Sequence, residues 1–264
     1  MQLSSIYSKS QLSEVCEESD GIDINLFRSA MSLMETISLC NALKSKVEIK
    51  AASFLVDKLG ILLHNDYQKN WDTLKALYYV IKATGPTSNI LDAGGGLHSP
   101  ILNTLSMFKY NNLYACDVVD VNYSPERFSK LIKFSLQNIE NTDYPDEFYD
   151  AVTCLSVVEH GIDPNKFFAE MCRIVKKDGL LIITTDYWPE YIDCSGIYPY
   201  GPDAPEMKVY TARDIKALVQ IGNAYGFELC TPLILDVEEK AVRWDEVDRE
   251  YTFIFLALKK SVNK

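Results

Sequence analysis

The chain has 264 residues, 47% of them hydrophobic, and a formal net charge of −11. This length and apolar content suit one large α/β domain with an additional helical segment, and they argue against global disorder. The acidic balance, with no dense Lys/Arg run, excludes a nucleic-acid partner, which would need a basic footprint. Seven cysteines (Cys16, Cys40, Cys116, Cys154, Cys172, Cys194 and Cys230) form no CxxC pair and read as reduced thiols of a cytoplasmic protein. The first thirty residues carry Glu14, Glu17, Glu18 and Asp20 without the basic-then-apolar order of a signal peptide. No apolar run reaches the roughly 18 residues of a membrane span, so no membrane partner is expected.

Residues 1 to about 86 read as helices. Leu26, Phe27, Ala30, Leu33, Met34, Ile37 and Leu39 recur near helical spacing, as do Ala52, Phe54, Leu55, Leu59 and Leu62. A third helix, over about Tyr67 to Ala83, gathers Trp71, Leu74, Leu77, Tyr78 and Ile81 on one side, and Gly85-Pro86 stops it. Residues 1–65 form an expected helical extension or lid, ahead of a main domain over 66–264.

From there strands and helices alternate. Strands are expected at Asn89–Ala93, Leu113–Val118, Ile132–Leu136, Ala151–Leu155 and Leu180–Thr185, short apolar runs suited to burial on both faces. A helix over Pro164–Lys177 has Asp163 as its cap, Pro164 at its first position and Gly179 beyond its end. A loop rich in Pro, Gly and Tyr follows (Tyr187 to about Tyr210), then a helix over Thr211–Tyr225 and strands near 229–235 and Tyr251–Leu258.

The most specific stretch is Asn89-Ile90-Leu91-Asp92-Ala93-Gly94-Gly95-Gly96, with Asp117 standing 25 residues after Asp92. Three glycines allow a tight turn and close backbone approach to a ligand. An acid at the end of the next strand is where a βαβ unit binds ribose hydroxyls. Both features point to an adenosine-containing cofactor. A nicotinamide dinucleotide is one alternative, but its G-x-G-x-x-G/A pattern here reads Gly94, Gly96, Ser99 and lacks the third small residue.

Four blocks in order resemble the class I S-adenosylmethionine-dependent methyltransferases, in particular the type 11 small-molecule group. They are ILDAGGG, Asp117, PDEFYDAVTCLSVVEHGID from Pro145 to Asp163, and AEMCRIVKKDGLLIITTDYW from Ala169 to Trp188. The resemblance covers roughly residues 65–260. It implies a Rossmann-like seven-stranded sheet with an antiparallel last strand, helices on both faces and an N-terminal helical extension. It also implies S-adenosylmethionine as cofactor and methyl transfer to a small-molecule acceptor, at a hydroxyl oxygen of a sugar or metabolite. A catalytically inactive methyltransferase-like scaffold is the non-enzyme alternative. The acceptor's identity and the oligomeric state are left open.

Carried over by position, the resemblance implies cofactor contacts from Asp92, Ala93, Gly94, Gly95 and Gly96. Asp117 would bind the ribose hydroxyls, and Val118 beside it would also touch the cofactor. Asn138, where the family usually has Asp, and Ile139 would meet the adenine, and Leu155 and Ser156 would lie beneath the sulfonium centre. Trp71, with Tyr67, is expected to approach the methionine end and close the cleft. His160 is the expected general base, oriented by Asp186, and Tyr187, Trp188, Tyr198 and Tyr200 the expected acceptor wall. Simpler roles compete: Asp92 as a turn cap, Asp117 as a surface acid with Asp120 as its rival, His98 as a loop residue, His160 as packing. Glu159-His160 suggests a metal site, but Ser156 stands where a first carboxylate ligand would be needed, so catalysis without a metal is expected.

Overall fold

The computed structural model describes residues 38–95, 99–119, 131–198 and 201–261. The expected helix from Leu26 to Ile37 lies outside the described residues, as do Gly96, His98, Asp120 and Tyr200. Seven strands form one path: β1 (Asn89–Ala93), β2 (Asn112–Asp117), β3 (Ile132–Leu136), β4 (Tyr149–Leu155), β5 (Val175–Tyr187), β6 (Phe227–Leu229) and β7 (Arg249–Lys260). Their spatial order is β3-β2-β1-β4-β5-β7-β6. The first five run parallel, and β7 inserts antiparallel between β5 and β6. The chain order reverses between β1 and β4, and in open α/β sheets ligands bind outside the strands' carboxyl ends at such a switch point.

Among the described residues, five helices pack with the sheet: α1 (Lys46–Lys58), α2 (Asn70–Ala83), α3 (Ile101–Met107), α4 (Pro164–Ile174) and α5 (Ala212–Ala224). Neighbouring residues of a strand face opposite ways, so each strand feeds two cores. Ile90, Leu180, Ile182, Phe253 and Phe255 pack with α1, α2 and α3. Leu91, Leu181, Ile183, Ile254 and Leu256 pack with α4 and α5. Residues of the expected extension, Leu43, Ile49 and Val56 among them, share the first core with α2 and β7.

Several boundaries differ from expectation. Helix α4 keeps its cap, Asp163 accepting from the Asn165 amide at 2.9 Å, but it ends at Ile174. Val175 already pairs with Tyr149, and the register jumps before Leu180. Lys176, Lys177 and Asp178 lie in that irregularity, with Asp178 at φ +62°. The run near 229–235 divides: Phe227–Leu229 pairs with β7, whereas Leu233–Ile234 runs parallel to Cys40–Asn41. Pro232, lacking an amide hydrogen, separates the two. The third helix opens with a 3₁₀ turn, Tyr67–Lys69.

Lys75 of α2 is buried, with its ammonium 5.0 Å from the Trp71 ring and 4.8 Å from the Phe255 ring. It donates to the Leu39 carbonyl at 2.9 Å and to Asn41 Oδ1 at 2.8 Å, tying the entering chain to the core. Burial lowers its pKa from 10.5 to about 7, with Cys40 and Glu48 opposing. Between those two values the unfolded chain holds a proton that the folded chain lacks, so stability should rise with pH across that window. Urea unfolding from pH 7 to 10 should show this rise. In Lys75→Met the slope should flatten, and an unchanged slope would assign it to another group.

Candidate active site

The site is built at the carboxyl ends of β1, β2, β4 and β5, with the mouth of α2 against them. At β1, Gly94 takes φ +76°, a region glycine enters without steric cost. Its amide donates to the Cys116 carbonyl at 2.7 Å. A Cβ here would stand 2.5 Å from Val157 Cγ2, and one on Gly95 would overlap Asp92 Oδ2. The glycines therefore let the turn lie directly on the tip of β4 and on Asp92. Asp92 is buried and accepts from the Thr153 hydroxyl at 2.6 Å and from the Ser99 side chain. Burial raises its carboxyl above the ordinary range against those bonds.

At the end of β2, Asp117 is half-buried and caps its own turn, Oδ1 accepting from the Val119 amide at 3.1 Å. Val118 beside it is exposed. Asn138 follows β3 with its side chain on the Glu140 amide at 2.9 Å, and Ile139 is buried in the second core. Asp92, Gly94, Gly95, Asp117 and Ile139 thus lie at or just beyond neighbouring strand ends.

The tips of β4 and β5 carry a cluster that the sequence showed only in part. Ser156 takes φ +54°, its amide held by the Thr184 carbonyl at 3.0 Å and the Thr184 hydroxyl at 3.1 Å. Thr184 in turn donates to Asp72 Oδ2 at 3.1 Å, and Thr185 donates to Glu159 Oε2 at 3.1 Å. Asp186 bonds the Tyr251 hydroxyl. Asp72, Glu159 and Asp186 are all buried, and one oxygen, Asp72 Oδ1, has no hydrogen-bond partner. Lys69 reaches in from the 3₁₀ turn, its ammonium on Ser156 Oγ and 4.0 Å from the Phe253 ring.

The electrostatics follow from burial. It raises Asp72 to about 6 and Glu159 to about 7 despite Lys69. Asp186 is raised well above the ordinary range, by burial first and then by Glu159. His160 moves the other way: burial, then Lys69, lowers it to about 4. Its ring bonds the Ser156 carbonyl. An imidazole so placed resists protonation, whereas burial makes the Glu159 carboxyl a better proton acceptor than an ordinary one.

Other expectations are redirected. Trp71 packs edge-on against Phe255, 6.4 Å between ring centroids, and its side chain bonds Glu48. It is a core residue, and Lys69 faces the cleft in its stead. Tyr67 is exposed. Tyr187 is fully buried, its hydroxyl donating to the Leu235 carbonyl at 3.0 Å, so it anchors β5 and does not line a pocket. Trp188 is half-buried beneath the Lys240 ammonium, 5.3 Å from its ring. Tyr198 donates to Glu206 Oε1 at 3.0 Å. The loop does return to the site: Pro205 lies against Gly161, where a Cβ would stand 2.5 Å from Pro205 Cγ.

Lys69 and Asp72 were missed because nothing in a helix-spaced pattern marks them. Their one sequence signal is i,i+3 spacing at the start of a helix otherwise rich in apolar residues. Among the described residues, no three His, Cys, Asp or Glu side chains converge closely enough to hold a metal ion. No described helix is long and apolar enough to cross a membrane.

Residues 91–183 match the family model described as "Methyltransferase domain". A 69-residue stretch is 28% identical to the uncharacterized methyltransferase YcgJ of Bacillus subtilis (strain 168), a match spanning 26% of this chain and 27% of that protein. Among solved structures, geranyl diphosphate C-methyltransferase from Streptomyces coelicolor A3(2), in complex with Mg²⁺, geranyl diphosphate and S-adenosyl-L-homocysteine, superposes with a TM-score of 0.52. It is 13% identical, over 75% of this chain and 85% of that one. The 1,6-didemethyltoxoflavin-N1-methyltransferase of Burkholderia thailandensis, with 1,6-didemethyltoxoflavin and S-adenosylhomocysteine bound, gives 0.51 at 15% identity, over 83% and 92%. The stretch 91–183 is thus similar to a methyltransferase domain, and the fold of the chain is similar to those of these methyltransferase structures.

Proposed function

We propose that the protein transfers the methyl group of S-adenosylmethionine to a small-molecule acceptor, at a hydroxyl oxygen of a sugar or other metabolite. The observation that carries this reading is the union of a glycine turn, Asp92 and Asp117 at one side of the switch point with Glu159 and Asp186 at the other. The turn suits the bound group, since added side chains at Gly94 and Gly95 would collide with Val157 and Asp92. Asp92 and the glycine turn hold the methionine portion, Asp117 receives the ribose hydroxyls, and Asn138 and Ile139 border the adenine. The cofactor supplies an electrophilic methyl on a cationic sulfur.

The chain's own share is positioning and proton removal. Holding an acceptor in near-attack geometry accounts for about 7–11 kcal/mol of barrier. Glu159, paired with Asp186, takes the hydroxyl proton, and a base of this kind contributes about 10²–10⁴-fold. Trp188 and Tyr198 border the acceptor, their flat faces suiting a ring with hydroxyls.

Calorimetry tests the cofactor assignment. S-adenosylmethionine and S-adenosylhomocysteine should bind and NAD should not. Asp117→Ala should weaken binding by about 1.5–3 kcal/mol, the value of hydrogen bonds to a charged group. Unchanged affinity would move the ribose contact elsewhere. Release of S-adenosylhomocysteine against a panel of hydroxylated acceptors then identifies the substrate.

A further inference from the structure

The Lys69 ammonium reaches a seat beside three buried acidic side chains and forms an ion pair within 4.0 Å with none of them. Asp72 comes from α2, Glu159 from the turn after β4 and Asp186 from the end of β5, and all three are buried. The strongest positive influence on each of them is Lys69. Buried carboxylates are costly without compensation, and Asp72 Oδ1 lacks any hydrogen-bond partner. The floor of the seat is Ser156 Oγ, and its wall is the face of the buried Phe253 ring.

We propose that this is a built site for one organic cation, held by the Lys69 ammonium until the sulfonium of the methyl donor takes its place. The inference rests on the methyl-donor reading above. Four observations support it. The seat adjoins the glycine turn, because Val157, next to Ser156, is the residue a Cβ on Gly94 would strike. The seat is pre-shaped, because both the carbonyl and the hydroxyl of Thr184 fix the Ser156 amide. An aromatic face attracts a weakly hydrated cation. Lys69 is half-exposed on a short turn, and its flexible four-carbon stem lets the ammonium withdraw to water.

The consequence is discrimination by charge. Donor and product differ in that the donor's sulfur is positive and the product's is neutral. Asp72, raised only to about 6 against about 7 for Glu159, therefore favours the donor, and Lys69 returns once that charge is gone. While Lys69 holds the seat it lowers the donor's apparent affinity by the fraction of time the seat is closed.

Calorimetry should compare S-adenosylmethionine, sinefungin (an ammonium in place of the methyl sulfonium) and S-adenosylhomocysteine on three proteins: wild type, Lys69→Met and Asp72→Asn. Lys69→Met should tighten both cationic ligands by about tenfold or more, as expected for removing a like charge a few ångströms away, and leave S-adenosylhomocysteine nearly unchanged. Asp72→Asn should weaken the cationic pair and spare the neutral ligand. Equal effects on all three ligands, or weaker donor binding by Lys69→Met, would overturn the proposal. Retained S-adenosylhomocysteine binding shows that each variant is folded. If wild type binds none of the three, the donor reading fails, and the seat is decided separately. Butylammonium chloride should then raise the melting temperature of Lys69→Ala above that in sodium chloride of equal ionic strength, and no difference would reject the seat.

Discussion

Replacing Glu159 by Gln is expected to cut turnover by about 10²–10⁴-fold while leaving affinity for S-adenosylhomocysteine nearly intact, because a proton acceptor is lost and little else. Gln keeps an oxygen for the Thr185 hydroxyl that Glu159 now accepts at 3.1 Å. The substitution also removes a charge that burial disfavours, so stability above neutral pH should hold or rise while activity falls. A purely structural role would move the two together. The pH profile gives an independent reading: burial raises both Glu159 and Asp186, so the wild-type rate should climb through the neutral range as the pair loses its proton. The apparent pKa of that climb belongs to the pair. His160→Ala should cost less than about tenfold, below the range for losing a general base, since burial and Lys69 already suppress protonation of the imidazole. Full turnover by Glu159→Gln on the identified acceptor would return the proton to another group or leave positioning alone to explain the rate.

The largest stability effect is expected at Phe255. Its ring is fully buried on the central antiparallel strand β7, in edge contact with Trp71 and tilted against Tyr79 at 5.6 Å between centroids. The Lys75 ammonium lies 4.8 Å from it. Phe255→Ala should cost about 3–5 kcal/mol, the range for truncating a buried aromatic, against a total stability of about 5–15 kcal/mol for a domain. Phe255 also pairs in register with Thr184, which holds Asp72 and Ser156. The cavity should therefore loosen the site as well as the core. Urea unfolding gives the stability change, and a loss below about 1 kcal/mol, outside the usual span for such truncations, would mean that the two aromatic neighbours collapse into the space.

Much of this arrangement was legible before any coordinates. β1 and β3 fall on the expected residues, and the other parallel strands contain theirs apart from Val118. Short apolar runs between turn residues report burial on both faces of a sheet directly. The Asp163-Pro164 start of α4 and the Thr211 start of α5 were equally plain, because caps are local: Thr211 and Asp214 bond each other's amides within four residues. The end of α4 was misplaced for the opposite reason. Lys176 and Lys177 look like a last helical turn, but pairing of Val175 with Tyr149 on another strand takes the chain away.

The sequence by itself determined the class of fold and where the glycine turn and its two acids fall at the strand ends. The glycine turn, Asp92 and Asp117 are bound to their strands by short-range geometry, and spacing alone locates them. Tertiary structure alone decided which groups face one another across the cleft. Asp72 and Asp186 stand 114 residues apart, and no period or motif connects them. Lys69 reaches Ser156, 87 residues away, only because α2 packs against the strand ends. The same packing sent Trp71 into the core and buried the His160 ring near Lys69, which lowers its proton affinity. Proton affinity depends on burial and on charges brought close by the fold, and neither is a property of the residue in the chain.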